Sequence, residues 1–139
     1  MPTEHPPLTA AQEADLAQHA LQARTWAYAP YSHYLVGAAL LTASGKIYDG
    51  VNVENAAYPD TICAERTAAV KAVSEGDRDF VAIAVASTNG GSPCGSCRQV
   101  LSEFGLATQV LIVDTEGVIR LRTTVAELLP NSFGADMLK

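Results

Sequence analysis

The residues best equipped for chemistry lie in Ser92-Pro93-Cys94-Gly95-Ser96-Cys97-Arg98-Gln99, where two cysteines stand three positions apart behind a proline. The one other cysteine, Cys63, belongs to Thr61-Ile62-Cys63-Ala64-Glu65-Arg66. At i and i+3 of a helix start, Cys94 and Cys97 share a face and form a chelating pair. With Cys63 they make a three-sulfur set suited to a tetrahedral ion. Three protein ligands leave one position open to water, which separates catalytic zinc sites from closed structural ones. Glu65 then stands beside the ion rather than on it. There it can take a proton from water and pass it to a substrate.

Local electrostatics support this reading. Thr61 and Ser92 are expected N-caps, with Pro93 at the first helical position. Cys63 and Cys94 then fall at second helical positions, where free N–H groups and the positive helix end face the sulfurs. Three thiolates on a divalent ion leave a net negative charge, and donors to sulfur drain it. Arg66 and Arg98 are near enough in sequence to contribute.

Blander readings exist. An isolated Cys-x-x-Cys is weak, since buried cysteines serve as small hydrophobes. A first-turn glutamate merely suits the helix dipole. A closed zinc site needs a fourth ligand, yet His5, His19 and His33 lie well upstream. A redox dithiol leaves Cys63-Ala64-Glu65 without a purpose. The two cysteine motifs together favour the open zinc site.

The scaffold that must position these groups is read as a single domain, 1–139, with 48% hydrophobic and 17% charged residues. Disorder is excluded by that composition. A net charge of −6 argues against duplex nucleic acid and anionic membranes as partners. No apolar run is long enough to span a bilayer, and no signal peptide opens the chain, so a cytoplasmic location is expected.

Thr9-Ala10-Ala11-Gln12 reads as a capping box for a helix from about Ala10 to about Tyr28, closed by Pro30. Met1–Pro7 is a frayed lead-in. Val36–Thr42 and Lys46–Val51 form a hairpin about Ser44-Gly45. A helix is expected from Ile62 to about Glu75, with Ala68, Ala69, Ala72 and Val73 inward. Phe80–Ala86 is a central strand. Thr88–Gly91 is a flexible loop leading to a helix from Pro93 to about Phe104. Strands at Gln109–Val113 and Val118–Leu121 follow, then a capping box at Thr124–Glu127 for a short helix. The tail is irregular, with Phe133 as its apolar anchor. Hairpin connections mixed with helical ones point to a mixed sheet sandwiched by helices.

Between strand and helix lies Asn52-Val53-Glu54-Asn55. An Asn-rich turn is the simple reading. Asn52 and Glu54 also project to one side of an extended chain and offer donors and acceptors to a diol.

Taken together, Tyr31-Ser32, Val36-Gly37-Ala38, Asn52-Val53-Glu54-Asn55-Ala56, Tyr58-Pro59, Cys63-Ala64-Glu65-Arg66 and Pro93-Cys94-Gly95-Ser96-Cys97-Arg98-Gln99 resemble the small, homotetrameric cytidine deaminases, across nearly the whole chain. Cys-x-Glu followed by Pro-Cys-x-x-Cys is the Cys-ligand form of the zinc deaminase signature. The resemblance implies a three-layer α/β/α sandwich with a mixed five-stranded sheet. It implies hydrolysis of cytidine and 2′-deoxycytidine to the uridines with release of ammonia, as in pyrimidine salvage. It also implies one zinc ion per subunit, held by Cys63, Cys94 and Cys97, with Glu65 as proton shuttle. Activated water attacks C4, Glu65 protonates N3, and ammonia leaves. Asn52 and Glu54 would bind the ribose 3′-hydroxyl, Tyr34 would pack beside the pyrimidine, and Ala64 would line the substrate site. In such tetramers the active sites lie near subunit interfaces, which makes Ala56, Tyr58 and Phe133 candidates for contact with a neighbouring subunit's substrate. Ordinary packing is the plain alternative for Tyr58 and Phe133.

One departure stands out. Where many relatives carry phenylalanine followed by proline or a similar residue, this chain has Tyr34-Leu35. A phenol hydroxyl needs a partner, so the base pocket is expected to be more polar or differently shaped. There are two rival activities, and the blasticidin-type enzymes resemble the chain at both cysteine motifs. A blasticidin-type deaminase is disfavoured by Glu54, because a ribose diol needs that acceptor. A polynucleotide editor is disfavoured by the acidic charge and the lack of a basic groove. A zinc-stabilised binding module without turnover leaves Glu65 unused.

Overall fold

The computed structural model describes residues 4–138. Residues 1–3 and Lys139 lie outside it, and with them the ends of the expected lead-in and tail. Five strands form one sheet in the order β2-β1-β3-β4-β5: β1 Gly37–Thr42, β2 Ile47–Val51, β3 Phe80–Ala86, β4 Gln109–Val113 and β5 Ile119–Thr124. The β3–β4 pair is parallel and the other three pairs are antiparallel. The helices are α1 Ala10–Arg24, α2 Ala64–Ser74, α3 Gly95–Phe104 and α4 Val125–Leu128, with single 3-10 turns at Tyr58–Asp60 and Ala135–Leu138. The expected three-layer α/β/α sandwich with a mixed five-stranded sheet is the observed architecture.

Strand alternation splits the core in two. Ala39, Ala82, Ala84 and Ala86 face α1, meeting Leu16, Ala17 and Ala20. Ala38, Leu40, Ile83 and Val85 face the other way, toward Ala68, Ala69 and Ala72 of α2 and Leu101 of α3. The small side chains under α1 let that helix lie close to the sheet. A Cβ on Gly37 would sit 2.1 Å from the Ala20 carbonyl oxygen. Larger side chains fill the space beneath α2 and α3, the layer that carries the cysteines.

Several expected boundaries move. The capping box forms at Thr9 and Gln12, but α1 stops at Arg24 rather than near Tyr28. Tyr28 is drawn away because its backbone bonds to Asn52 and Glu54. His5 bonds to Asp79 at 2.9 Å, so the lead-in is tied down at that point and not frayed. Both cysteine helices begin two residues later than expected, at Ala64 and Gly95. β5 runs on to Thr124, three residues beyond the expected end, because it pairs along the whole of β4. Phe133 does not anchor the tail in the core, being 57% exposed. Among the described residues no helix is long and apolar enough to cross a membrane.

Candidate active site

Cys63 and Cys94 are themselves the N-cap residues of α2 and α3, in extended conformation, with no side-chain cap bond. Thr61 and Ser92 do not cap, because their hydroxyls accept from the Asn55 backbone N–H and from Arg98 instead. The cysteines therefore stand at the very mouths of two helices, two positions ahead of the expected second helical positions and beside the free N–H groups. Cys97 follows on the first turn of α3 and is fully buried, while Cys94 is exposed and Cys63 lies between those extremes.

The three sulfurs all lie within 4.8 Å of one another. Cys63 Sγ is 4.0 Å from Cys94 Sγ, and Cys94 Sγ is 3.5 Å from Cys97 Sγ. A tetrahedral zinc with Zn–S bonds of about 2.3 Å requires sulfurs about 3.8 Å apart. The cluster is thus arranged to hold such an ion.

Arg66 Nη2 donates to Cys63 Sγ at 3.5 Å, as expected of a cation helping the sulfurs. Arg98 acts differently. Its guanidinium donates to the carbonyls of Pro93 (2.7 Å) and Leu128 (2.8 Å) and to the Ser92 hydroxyl (2.9 Å). Its three bonds hold the two residues before Cys94 and the end of α4, and not the sulfurs. In the metal-free chain Cys63 is pushed down to about 5, first by the Cys97 thiol donating to it and then by Arg66. Cys97 is pushed up by the same shared proton and by burial.

Glu65 is only 5% exposed. Burial pushes its carboxyl up to about 7, and the neighbouring Cys63 charge adds to the rise. A carboxyl near neutrality both accepts and returns a proton at physiological pH. It lines a cleft of about 210 Å³ with Cys63, Cys94, Ala64, Asn52 and Tyr34. Val36 and Val85 supply apolar wall.

Asn52 is buried, with its amide spanning two backbone groups: Oδ1 accepts from Val36 N–H (2.9 Å) and Nδ2 donates to the Tyr34 carbonyl (2.8 Å). These two bonds leave one amide hydrogen and one oxygen lone pair on a side chain that lines the cleft. Glu54 lines a neighbouring depression with Tyr31, Ser32 and Tyr58, and Thr61 borders both spaces. Its carboxylate accepts from the Tyr31 and Ser32 backbone N–H groups and from the Ser32 hydroxyl. The Ser32 hydroxyl, first, and those amides hold it below the usual carboxylate range. Ala56, Tyr58 and Phe133 are exposed and lie outside the cysteine cleft, with Tyr58 packed edge-on against Tyr31 at 6.1 Å between centroids. The Tyr34 hydroxyl finds its partner in Asn89 Oδ1, 2.6 Å away. Asn89 and Arg24 were not legible as site residues, because their role depends on contacts 55 and 64 positions distant.

Residues 10–113 match the family described as the cytidine and deoxycytidylate deaminase zinc-binding region. The chain belongs to this family. A cytidine deaminase of Sporosarcina psychrophila is 52% identical over 120 residues, covering 84% of this chain and 88% of the relative. One from Halalkalibacterium halodurans is 51% identical over 124 residues, covering 87% and 93%. The crystal structure of the Burkholderia pseudomallei cytidine deaminase superposes with a TM-score of 0.83 at 44% identity, covering 91% of this chain and all of that one. Zinc is the ion of this deaminase family, and the sulfur spacing fits it.

Proposed function

We propose that this protein is a hydrolytic deaminase of cytidine and 2′-deoxycytidine, yielding the uridines and ammonia. One observation carries the reading: the buried Glu65 lines one cleft with Cys63 and Cys94, two sulfurs of a three-sulfur cluster that fits a metal ion. Cys63, Cys94 and Cys97 would hold the zinc. When bound, zinc supplies Lewis acidity that makes water a nucleophile near neutral pH.

The protein's own residues supply the rest. Glu65 takes the proton released from water and delivers it to N3 of the pyrimidine, which makes C4 electrophilic; it then carries the proton left on the new C4 hydroxyl to the amino nitrogen, which leaves as ammonia as the C4 carbonyl forms. Apolar walls around the carboxyl keep its proton from bulk solvent. Tyr34 lines the side of the cleft where a flat ring would rest. Asn52 and Glu54 accept and donate toward the ribose hydroxyls, Asn52 from the cleft and Glu54 from the depression next to it.

The same reading includes a homotetramer with active sites near subunit interfaces and a cytoplasmic location. Tyr58, 72% exposed, and Phe133 are large apolar groups left uncovered on one chain, which supports burial against neighbouring subunits.

The test is an absorbance assay on cytidine, deoxycytidine, cytosine and blasticidin S. Turnover of the first two is expected, and Glu65→Gln should lower it roughly 10²–10⁴-fold while zinc is retained. Activity on cytidine that survives Glu65→Gln overturns the mechanism, and activity on blasticidin S alone overturns the substrate.

A further inference from the structure

The loop from Ser87 to Pro93 connects β3 to the cap of α3 and delivers Cys94. Arg98 pins its far end through Ser92 and Pro93. Its near end is held by a separate set of bonds, none of which belongs to the metal cluster. The Tyr34 hydroxyl donates to Asn89 Oδ1 at 2.6 Å. The Ser87 hydroxyl accepts from Gly91 N–H at 3.0 Å and reaches Asn89 Oδ1 at 3.5 Å. Tyr34 OH also lies 3.0 Å from where a Cβ on Gly91 would stand, so the loop folds directly onto the phenol. Independently, Arg24 at the end of α1 bridges the same two segments. Its Nε donates to the Leu35 carbonyl and its Nη2 to the Thr88 hydroxyl, each at 3.0 Å.

We propose that Tyr34–Asn89 and Arg24–Thr88 form a two-point clasp that positions the Cys94 loop against the cleft, making Tyr34 and Asn89 positioning residues for metal retention. The inference rests on the deaminase reading for its zinc and on the hydrogen bonds alone for the clasp. Tyr34 thereby does two jobs. The residue lines the cleft, and its hydroxyl hydrogen is committed to Asn89 in the loop. Cys94 is the exposed sulfur of the set and sits at the end of this loop, so it is the ligand that loop opening would release first.

The experiment combines two readouts on full-length protein: hydrogen–deuterium exchange of the loop amides, and zinc release to a chromogenic chelator. Tyr34→Phe keeps the ring, and Asn89→Ala removes the acceptor. Each is expected to speed exchange at Gly91 and its neighbours about tenfold, and to speed zinc release by the order of tenfold expected for a residue supporting a metal ligand. The double variant should release zinc no faster than the faster single one, because both remove one bond. Asn89→Asp, which keeps an acceptor oxygen, should stay near wild type on its own and lose that advantage when combined with Tyr34→Phe. Unchanged loop exchange in Tyr34→Phe overturns the clasp. Faster exchange with unchanged zinc release, or effects that multiply in the double variant, overturns its role at the metal. A wild-type protein that holds no zinc overturns the deaminase reading instead, and exchange alone then decides the clasp.

Discussion

Gly50 of β2 lies directly beneath Ala64, the first residue of α2: a Cβ at Gly50 would sit 2.4 Å from the Ala64 carbonyl oxygen and 2.5 Å from the Ala68 nitrogen. The contact seats the helix mouth that carries Cys63 and Glu65. Gly50→Ala is expected to push that turn off the sheet, lowering stability by about 1–3 kcal/mol and weakening zinc retention with it. Denaturant unfolding and zinc content measure the two effects. A variant with wild-type values for both would show that α2 has room to shift.

Arg66 is the charged neighbour of the cluster, and its Nε is buried with no hydrogen-bond partner among the described residues. Its pKa is raised, first by Cys63. Replacing it by glutamine leaves the anionic sulfur set less compensated, so water in the site should deprotonate less readily. The acid limb of the pH–rate profile should move to higher pH, with activity or zinc affinity falling about 10–100-fold. An unmoved acid limb would remove Arg66 from this role.

Chelation should strip about one zinc per chain and abolish turnover, with recovery on adding zinc back. In the stripped protein Cys63, pushed down to about 5, is largely thiolate at neutral pH, whereas Cys97 is held protonated and buried. Iodoacetamide should therefore label Cys63 well before Cys97, and bound zinc should suppress both. Mass spectrometry of the alkylated peptides gives the order, and preferential labelling of Cys97 would contradict it.

Away from the site, Asp77 accepts from Tyr48, Ser44 and Thr42, joining the β1–β2 hairpin to the turn after α2. The Tyr48 hydroxyl, first, and then Ser44 hold Asp77 below the usual range. Asp77 in turn pushes Tyr48 up to about 12. A depressed carboxylate stabilises the fold above its unfolded pKa and loses that effect as pH falls through its folded value. A raised phenol stabilises below its unfolded pKa and loses the effect as pH rises through its folded value. Asp77→Asn should flatten the acid limb of the stability profile, and Tyr48→Phe the alkaline limb between about pH 10 and 12. Denaturation midpoints across pH would read both, and parallel wild-type and variant curves would refute the linkage.

Much of this was legible in local sequence. Phe80–Ala86 is strand over its full expected length, because every residue in it suits a sheet covered on both faces. The Thr9–Gln12 box forms because it depends on four neighbouring residues alone. The cysteines and Glu65 were visible because metal chemistry restricts residue type and spacing. What was not legible depends on distant partners. Thr61 and Ser92 look like caps, yet Asn55 and Arg98 claim their hydroxyls, and the cysteines cap instead. Tyr28 follows an apolar pattern of helical spacing but pairs with the segment after β2. Asn89 sits in a stretch that reads as flexible, and only the fold brings the Tyr34 phenol to it.

The cysteines also connect distant parts of the chain. Cys63 and Cys94 are 31 positions apart, with the whole of α2 and β3 between them. Joining such distant points costs of order 3 kcal/mol in chain entropy. Two residues of the ligand set share the start of α3, and the third comes from the start of α2. A zinc ion held by all three sulfurs would therefore crosslink the two helix starts across the central strand, and escape of the ion would be tied to the opening of the layer above that strand.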